Sequence, residues 1–104
     1  MQISIKETQN PAIIKFEFQD FITKNQSFEF KNIDETKNSP LAQKLFYLPF
    51  VKTVYISGNF IAIERFSIVE WDDVKEEVAQ QIEDFIANGG KILIEEDNSI
   101  KKIP

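Results

Sequence analysis

Val51-Lys52-Thr53-Val54-Tyr55-Ile56-Ser57-Gly58-Asn59-Phe60-Ile61-Ala62-Ile63-Glu64-Arg65 contains two β-branched runs that meet at a Gly-Asn pair. Gly-Asn accepts the positive φ that a two-residue hairpin turn needs, so the stretch reads as two antiparallel strands. With Gly58 and Asn59 as the turn, Ile56 faces Ile61 and Val54 faces Ile63. One side of the ribbon is then wholly aliphatic, and Tyr55, Ser57, Phe60, Ala62 and Glu64 occupy the other. A slip of one residue would mix the two sides, so burial of the aliphatic side holds the register as firmly as the turn does.

Upstream of this ribbon the chain has further strand signals. Ile3 and Ile5 alternate with Ser4 and Lys6, Asn10-Pro11 marks a turn, and Ile14, Phe16 and Phe18 alternate with Lys15 and Glu17. That period of two is the mark of a strand with one buried face. Phe28 and Phe30 flank Glu29 in a shorter run, after a polar loop over residues 23–27. Ser39-Pro40 is a helix start: the Ser oxygen accepts from an orphan backbone N–H, and Pro has no N–H to leave unpaired. Leu41, Leu45 and Leu48 follow at helical spacing, about two turns, until Pro49 stops the helix.

Downstream, Trp71, Val74, Val78, Ile82, Phe85 and Ile86 recur at steps of three and four, which predicts an amphipathic helix over about Val69–Asn88. Ser67-Ile68-Val69-Glu70 fits a capping box, with a cap two or three residues later as the alternative. Gly89-Gly90 ends the helix. Lys91–Ile94 is expected to add one more short strand, and the polar residues after it read as a tail or linker. The pattern reads as a small α+β domain. Residues 1–90 form the domain, and residues 91–104 form the short terminal strand and tail.

The chain has 104 residues, 42% of them hydrophobic and ten of them Phe. A chain of this length buries about 65% of the surface its unfolded form exposes, enough for one core. There is no Cys and no His. Its side chains therefore cannot make a thiolate or imidazole metal site, a cysteine-ligated cluster, a Ser-His-Asp triad or a Cys-His dyad. The formal charge of −5 and the isoelectric point near 4.7 argue against nucleic acid and anionic membranes as partners, since both reward Lys and Arg. No apolar run reaches the ~20 residues of a membrane span. The first residues lack the pattern of a signal peptide, and a cytoplasmic location is the simplest expectation.

Candidate chemistry is sparse. Asp73 and Glu77 are four apart on the last helix and, with Asp72, could share a hard cation. Such cations want about six or more oxygen ligands, and a solvated acidic face accounts for these residues more simply. Glu95-Glu96-Asp97 reads the same way. Gly58 and Gly89-Gly90 fit no phosphate-binding fingerprint. Trp71 begins an apolar stripe and belongs to the core. Tyr55 and Phe60 lie on the side of the ribbon away from the aliphatic one. Exposed paired aromatics mark contact surfaces, unless the Gln19–Ser27 loop, or Phe21 within it, covers them.

Several stretches, in this order, resemble the N-terminal domain of the NifU-like (Nfu) iron–sulfur scaffold proteins. They are Thr8-Gln9-Asn10-Pro11 with Lys15-Phe16, Ser39-Pro40-Leu41-Ala42 with Leu45-Phe46, Pro49 with Val51, Gly58 with Phe60-Ile61, and Glu70-Trp71-Asp72-Asp73-Val74-Lys75. The resemblance implies an antiparallel sheet with two helices on one face. It also implies a second domain, whose Cys-x-x-Cys carries an iron–sulfur cluster between assembly machinery and recipients. None of those cysteines maps onto this chain, so no cofactor is expected to bind it directly. Phe50 departs from the Gly that the family often has after the Pro, and adds another aromatic that could be exposed. The reading that follows is a non-catalytic accessory or protein-interaction domain. Its partners would be iron–sulfur assembly proteins or an adjoining Cys-x-x-Cys domain, with Tyr55, Asn59 and Phe60 as contact residues. The alternative is direct iron binding through Asp72, Asp73 and Glu77.

Overall fold

The computed structural model describes residues 3–24 and 26–94. Five strands form one sheet: β1 (Ile3–Glu7), β2 (Ile13–Phe18), β3 (Ser27–Phe30), β4 (Val51–Ser57) and β5 (Phe60–Arg65). Their order across the sheet is β1-β2-β5-β4-β3, and every neighbouring pair is antiparallel. A short 3-10 turn at Ile33–Glu35 precedes α1 (Pro40–Leu45), and α2 (Trp71–Ala87) follows β5. Both helices pack on the same face of the sheet, α1 near β4 and α2 across β1 and β2.

The β4–β5 hairpin has the expected register. Ile56 pairs with Ile61 and Val54 with Ile63, and Gly58 takes φ +57° at the turn. The aliphatic side is the inner one. Val54, Ile56, Ile61 and Ile63 are fully buried with Phe16, Leu41, Leu45 and Ile82 in one core. Alternation alone would put Val51 on the outer side with Thr53 and Tyr55. A register shift between Val51 and Thr53 inserts Lys52 as an extra residue, so Val51 turns inward while Lys52 stays exposed.

α1 starts as expected: the Ser39 hydroxyl accepts from the Ala42 N–H at 3.0 Å, with Pro40 at the first position. It ends sooner than the leucine spacing suggested. Leu48 lies outside it, because Tyr47 and Leu48 donate to carbonyls three residues back, a tightening that brings the chain to Pro49. α2 begins at Trp71, and the Ser67–Glu70 capping box does not form. Glu70 is the N-cap and makes no side-chain capping bond. Residues 66–70 are used instead to cross from the sheet to the helix layer, held where the Phe66 N–H donates to the Phe50 carbonyl at 2.7 Å.

Both closing glycines have a job. Gly89 sits at φ +92° and donates to Ile86, while Gly90 donates to Phe85, the paired bonds of a Schellman ending. A Cβ on Gly90 would collide with the Phe85 ring. Lys91–Ile94 does not form the expected strand. It lies along the start of α1, where the Lys91 carbonyl accepts from Leu41, the Ile92 carbonyl from the Ser39 hydroxyl at 2.6 Å, and the Ile94 N–H donates to Asn38. The Asn38 carbonyl, the Ser39 hydroxyl and the N–H of Leu41, the second residue of α1, bond with this segment, so the sheet gains no sixth strand among the described residues. Glu95-Glu96-Asp97 lies outside the described residues.

Candidate interaction surface

The outer face of the sheet carries no helix among the described residues. Alternation places Lys15 and Glu17 of β2, Phe60, Ala62 and Glu64 of β5, Tyr55 and Ser57 of β4, and Glu29 of β3 on it. At its centre the Tyr55 and Phe60 rings lie 6.1 Å apart, tilted by 35°. They are diagonal neighbours, because Tyr55 pairs with Ala62 and Phe60 with Ser57. The Lys15 ammonium sits 4.4 Å from the centre of the Phe60 ring and 3.9 Å from the Glu17 carboxylate. Tyr55 remains 36% exposed. The result is an aromatic pair with a cation on its flank, on a surface that is mostly polar apart from Ala62 and Ile13.

The loop after β2 does not lie over this pair through Phe21, which is 78% exposed. Its described bonds run to the hairpin tip instead. Ile22 and Thr23 both donate to the Gly58 carbonyl, at 2.7 and 3.1 Å. The buried Thr23 hydroxyl accepts from the Gly58 N–H and donates to the Gln26 carbonyl, each at 2.9 Å. Asn59 completes the clasp. Its carbonyl accepts from the Phe18 N–H and its side-chain amide donates to the Phe18 carbonyl, at 2.7 and 3.0 Å. Asn59 thus precedes Phe60 at the tip, with its amide occupied in holding the tip to β2.

The three acidic residues of the alternative reading lie on exposed turns of α2. Asp72 is engaged with Lys75 at 3.1 Å, and that hydrogen bond and charge raise the Lys75 pKa above its ordinary value. Asp73 and Glu77 are exposed. Among the described residues no three His, Cys, Asp or Glu side chains converge on a point where a metal ion would sit.

A concave feature lies at the opposite end of the sheet from the hairpin tip, and the sequence reading did not locate it. A cleft of about 290 Å³ is lined by the Thr8–Pro11 turn, Glu7, Arg65, Glu70, Trp71 and Asp72 among others. Two of the stretches that carry the family resemblance, about sixty residues apart in the chain, meet there. Trp71 is their hinge. Its indole N–H donates to the Ala12 carbonyl at 2.7 Å, and its ring meets Phe16 and Phe50 edge-on, each at 6.0 Å. Phe50 is therefore buried against Trp71 and adds no exposed aromatic. Arg65 occupies an inward-facing position at the end of β5. Its side chain is only 11% exposed, it reaches Glu70 at 3.5 Å, and its Nε–H has no hydrogen-bond partner among the described residues. The signal in the sequence was the parity of Arg65, which falls on the aliphatic side of the hairpin.

The comparisons with known proteins agree with this architecture. A family profile described as "Scaffold protein Nfu/NifU N terminal" matches residues 3–89. A relative from Drosophila sechellia, "NFU1 iron-sulfur cluster scaffold homolog, mitochondrial", is 36% identical over 94 residues, covering 89% of this chain and 33% of its own length. A NifU-like protein from Schizosaccharomyces pombe is 39% identical over 70 residues, covering 67% of this chain and 27% of its own. The chain thus spans about a third of the length of the curated relatives it matches. The solution structure of a NifU-like protein from Saccharomyces cerevisiae aligns with a TM-score of 0.77 and 26% identity, over 91% of this chain and 86% of that one. A crystal structure of a Staphylococcus aureus protein shares the fold, with a TM-score of 0.65 at 21% identity over 77% of this chain and 96% of that one. With the five-stranded antiparallel sheet, the helices on one face and a family match over most of its length, this chain belongs to the Nfu/NifU N-terminal family of iron–sulfur cluster scaffolds.

Proposed function

We propose that this chain is a non-catalytic protein-interaction domain of an iron–sulfur cluster scaffold or carrier. It docks assembly proteins, or an adjoining Cys-x-x-Cys domain, and supplies no ligand to the cluster itself. The observation that carries the reading is the uncovered outer face with Tyr55 and Phe60 in contact at its centre. Aromatic side chains there offer large, stiff contact area for little lost rotamer freedom, as hot-spot residues do. The cysteine- and histidine-free composition supports the division of labour, because an iron–sulfur cluster needs soft thiolate or imidazole ligands.

In this reading residues 1–90 are the docking unit, and the polar residues after them are a tail or linker. Tyr55 and Phe60 make the contact, and Asn59 presents them by holding the tip. The cytoplasmic setting belongs to the proposal too, against the mitochondrial names of relatives, and fractionation of cells probed with an antibody to the chain tests it. The surface is tested by pull-down of iron–sulfur assembly proteins, identified by mass spectrometry, with wild type and with Tyr55→Ala/Phe60→Ala. Capture falls sharply in the variant while its melting temperature stays close to that of wild type. Unchanged capture removes the surface assignment.

A further inference from the structure

β5 is the middle strand of the sheet, with β2 and β1 on one side and β4 and β3 on the other. The registers align the outward side chains in rows across all five strands. One row reads Lys6, Lys15, Ala62, Tyr55, Glu29, and its neighbour reads Ser4, Glu17, Phe60, Ser57, Ser27. The first row has two cations at one end, an anion at the other, and its smallest side chain in the middle. Strands lie about 4.8 Å apart, so Lys6 and Glu29 stand on the order of 10 Å to either side of Ala62. Both are exposed, and neither has an ion-pair partner among the described residues.

We propose that this face pairs with the same face of a second copy of the chain, about a two-fold axis running along β5. The proposal rests on reading the outer face as a protein contact surface, and it specifies the partner. Rotation about that axis lays β1 of one copy over β3 of the other, since each lies two strands from the centre. Lys6 then meets Glu29 of the second copy, and a two-fold interface makes that ion pair twice. Lys15 comes over Tyr55 and exchanges its ring contact within the chain for one across the interface. Phe60 meets Phe60, and Ala62 leaves room at the axis. Stacked sheets lie within about 30° of each other and about 10 Å apart, a gap that lysine and glutamate side chains bridge.

One contact opposes the arrangement. Glu64 comes over its own counterpart, although Lys52, 3.7 Å away in the same chain, offsets part of that charge. The face is also largely polar, which puts the pairing in the weak, transient class of interfaces. The complementarity argues for a second copy over an unrelated partner, because the charge along the row through Ala62 reverses about the middle strand, while Glu17 of the neighbouring row comes over the neutral Ser57.

Sedimentation equilibrium of the full chain at low ionic strength, from micromolar to millimolar protein, tests the proposal. Wild type associates reversibly to a dimer, and added salt weakens it. Lys6→Glu alone and Glu29→Lys alone each weaken the dimer by about tenfold, since two attractive pairs become repulsive. Mixing the two variants restores association, because one then carries acids at both positions and the other carries bases at both. Glu64→Gln strengthens the wild-type dimer. All these positions are on the surface, so the variants keep the fold. A wild type that stays monomeric throughout, or a mixture that associates no better than either variant alone, overturns the second-copy proposal. A monomeric chain whose capture of assembly proteins still depends on Tyr55 and Phe60 also overturns it, and leaves the contact surface itself standing.

Discussion

The inner and outer faces of this sheet are built from the same five strands, and along β2 they differ by one residue at a time. Ile14, Phe16 and Phe18 point inward and are buried, while Lys15 and Glu17 point outward and stay partly exposed. The inner face is aliphatic and aromatic, closed by α1 and α2, and its identity is enforced by packing. The outer face is a polar field with two aromatic rings in it, and the described packing does not demand those rings. Large apolar side chains on the inner face are explained by stability. On the outer face they call for a partner, and that asymmetry is why function is sought there.

The sharpest way to break the comparison is to attack the residue that fastens the helix layer to the inner face. Trp71→Ala removes two edge-on aromatic contacts and the bond to the Ala12 carbonyl, and is expected to lower stability by about 3–5 kcal/mol in urea unfolding. Against a typical total of about 5–15 kcal/mol this leaves a marginal domain. A loss below about 1 kcal/mol would show that the Trp71 ring is not packed as described.

Next comes the clasp at the hairpin tip, which anchors the loop after β2. Thr23→Val keeps the shape and leaves the Gly58 N–H without its acceptor, a loss of about 1–3 kcal/mol, seen also as faster amide exchange at Gly58. Gly58→Val challenges the register that separates the two faces. A β-branched residue at φ +57° costs about 1–2 kcal/mol although there is space for its side chain, so an unchanged melting temperature would contradict the turn. The smallest effect belongs to the outer face. Tyr55→Ala and Phe60→Ala are each expected to change stability by about 1 kcal/mol or less, and a much larger loss would mean that these rings serve the core.

Much of this fold was legible because its signals are local. Gly58-Asn59 between β-branched runs specified the hairpin and its pairing. Ser39-Pro40 announced α1, Gly89-Gly90 the end of α2, and the stripe from Trp71 to Ile86 the face that α2 buries. Where the reading missed, a distant group had intervened. Lys52 bulges so that Val51 reaches the core, which alternation along β4 cannot reveal. Lys91–Ile94 has the composition of a strand, yet the unpaired groups around the start of α1 take its hydrogen bonds. Phe50 looked like a surface aromatic until Trp71, twenty-one residues later in the chain, came to lie against it. The candidate surface was half legible. Alternation placed Tyr55 and Phe60 on one side, but it could not say whether a loop covered them.

The sequence by itself determined which residues alternate, where the chain turns, and that no thiolate or imidazole is present to hold a cluster. Those are properties of neighbouring residues and of composition, and they need no knowledge of distant contacts. Only the tertiary structure decided that β5 sits in the middle of the sheet and that Lys6 and Glu29 lie two strands to either side of Ala62 on the face without helices. These follow from pairing between strands far apart in the chain, where many orders satisfy the same local pattern and the burial of one shared core selects among them.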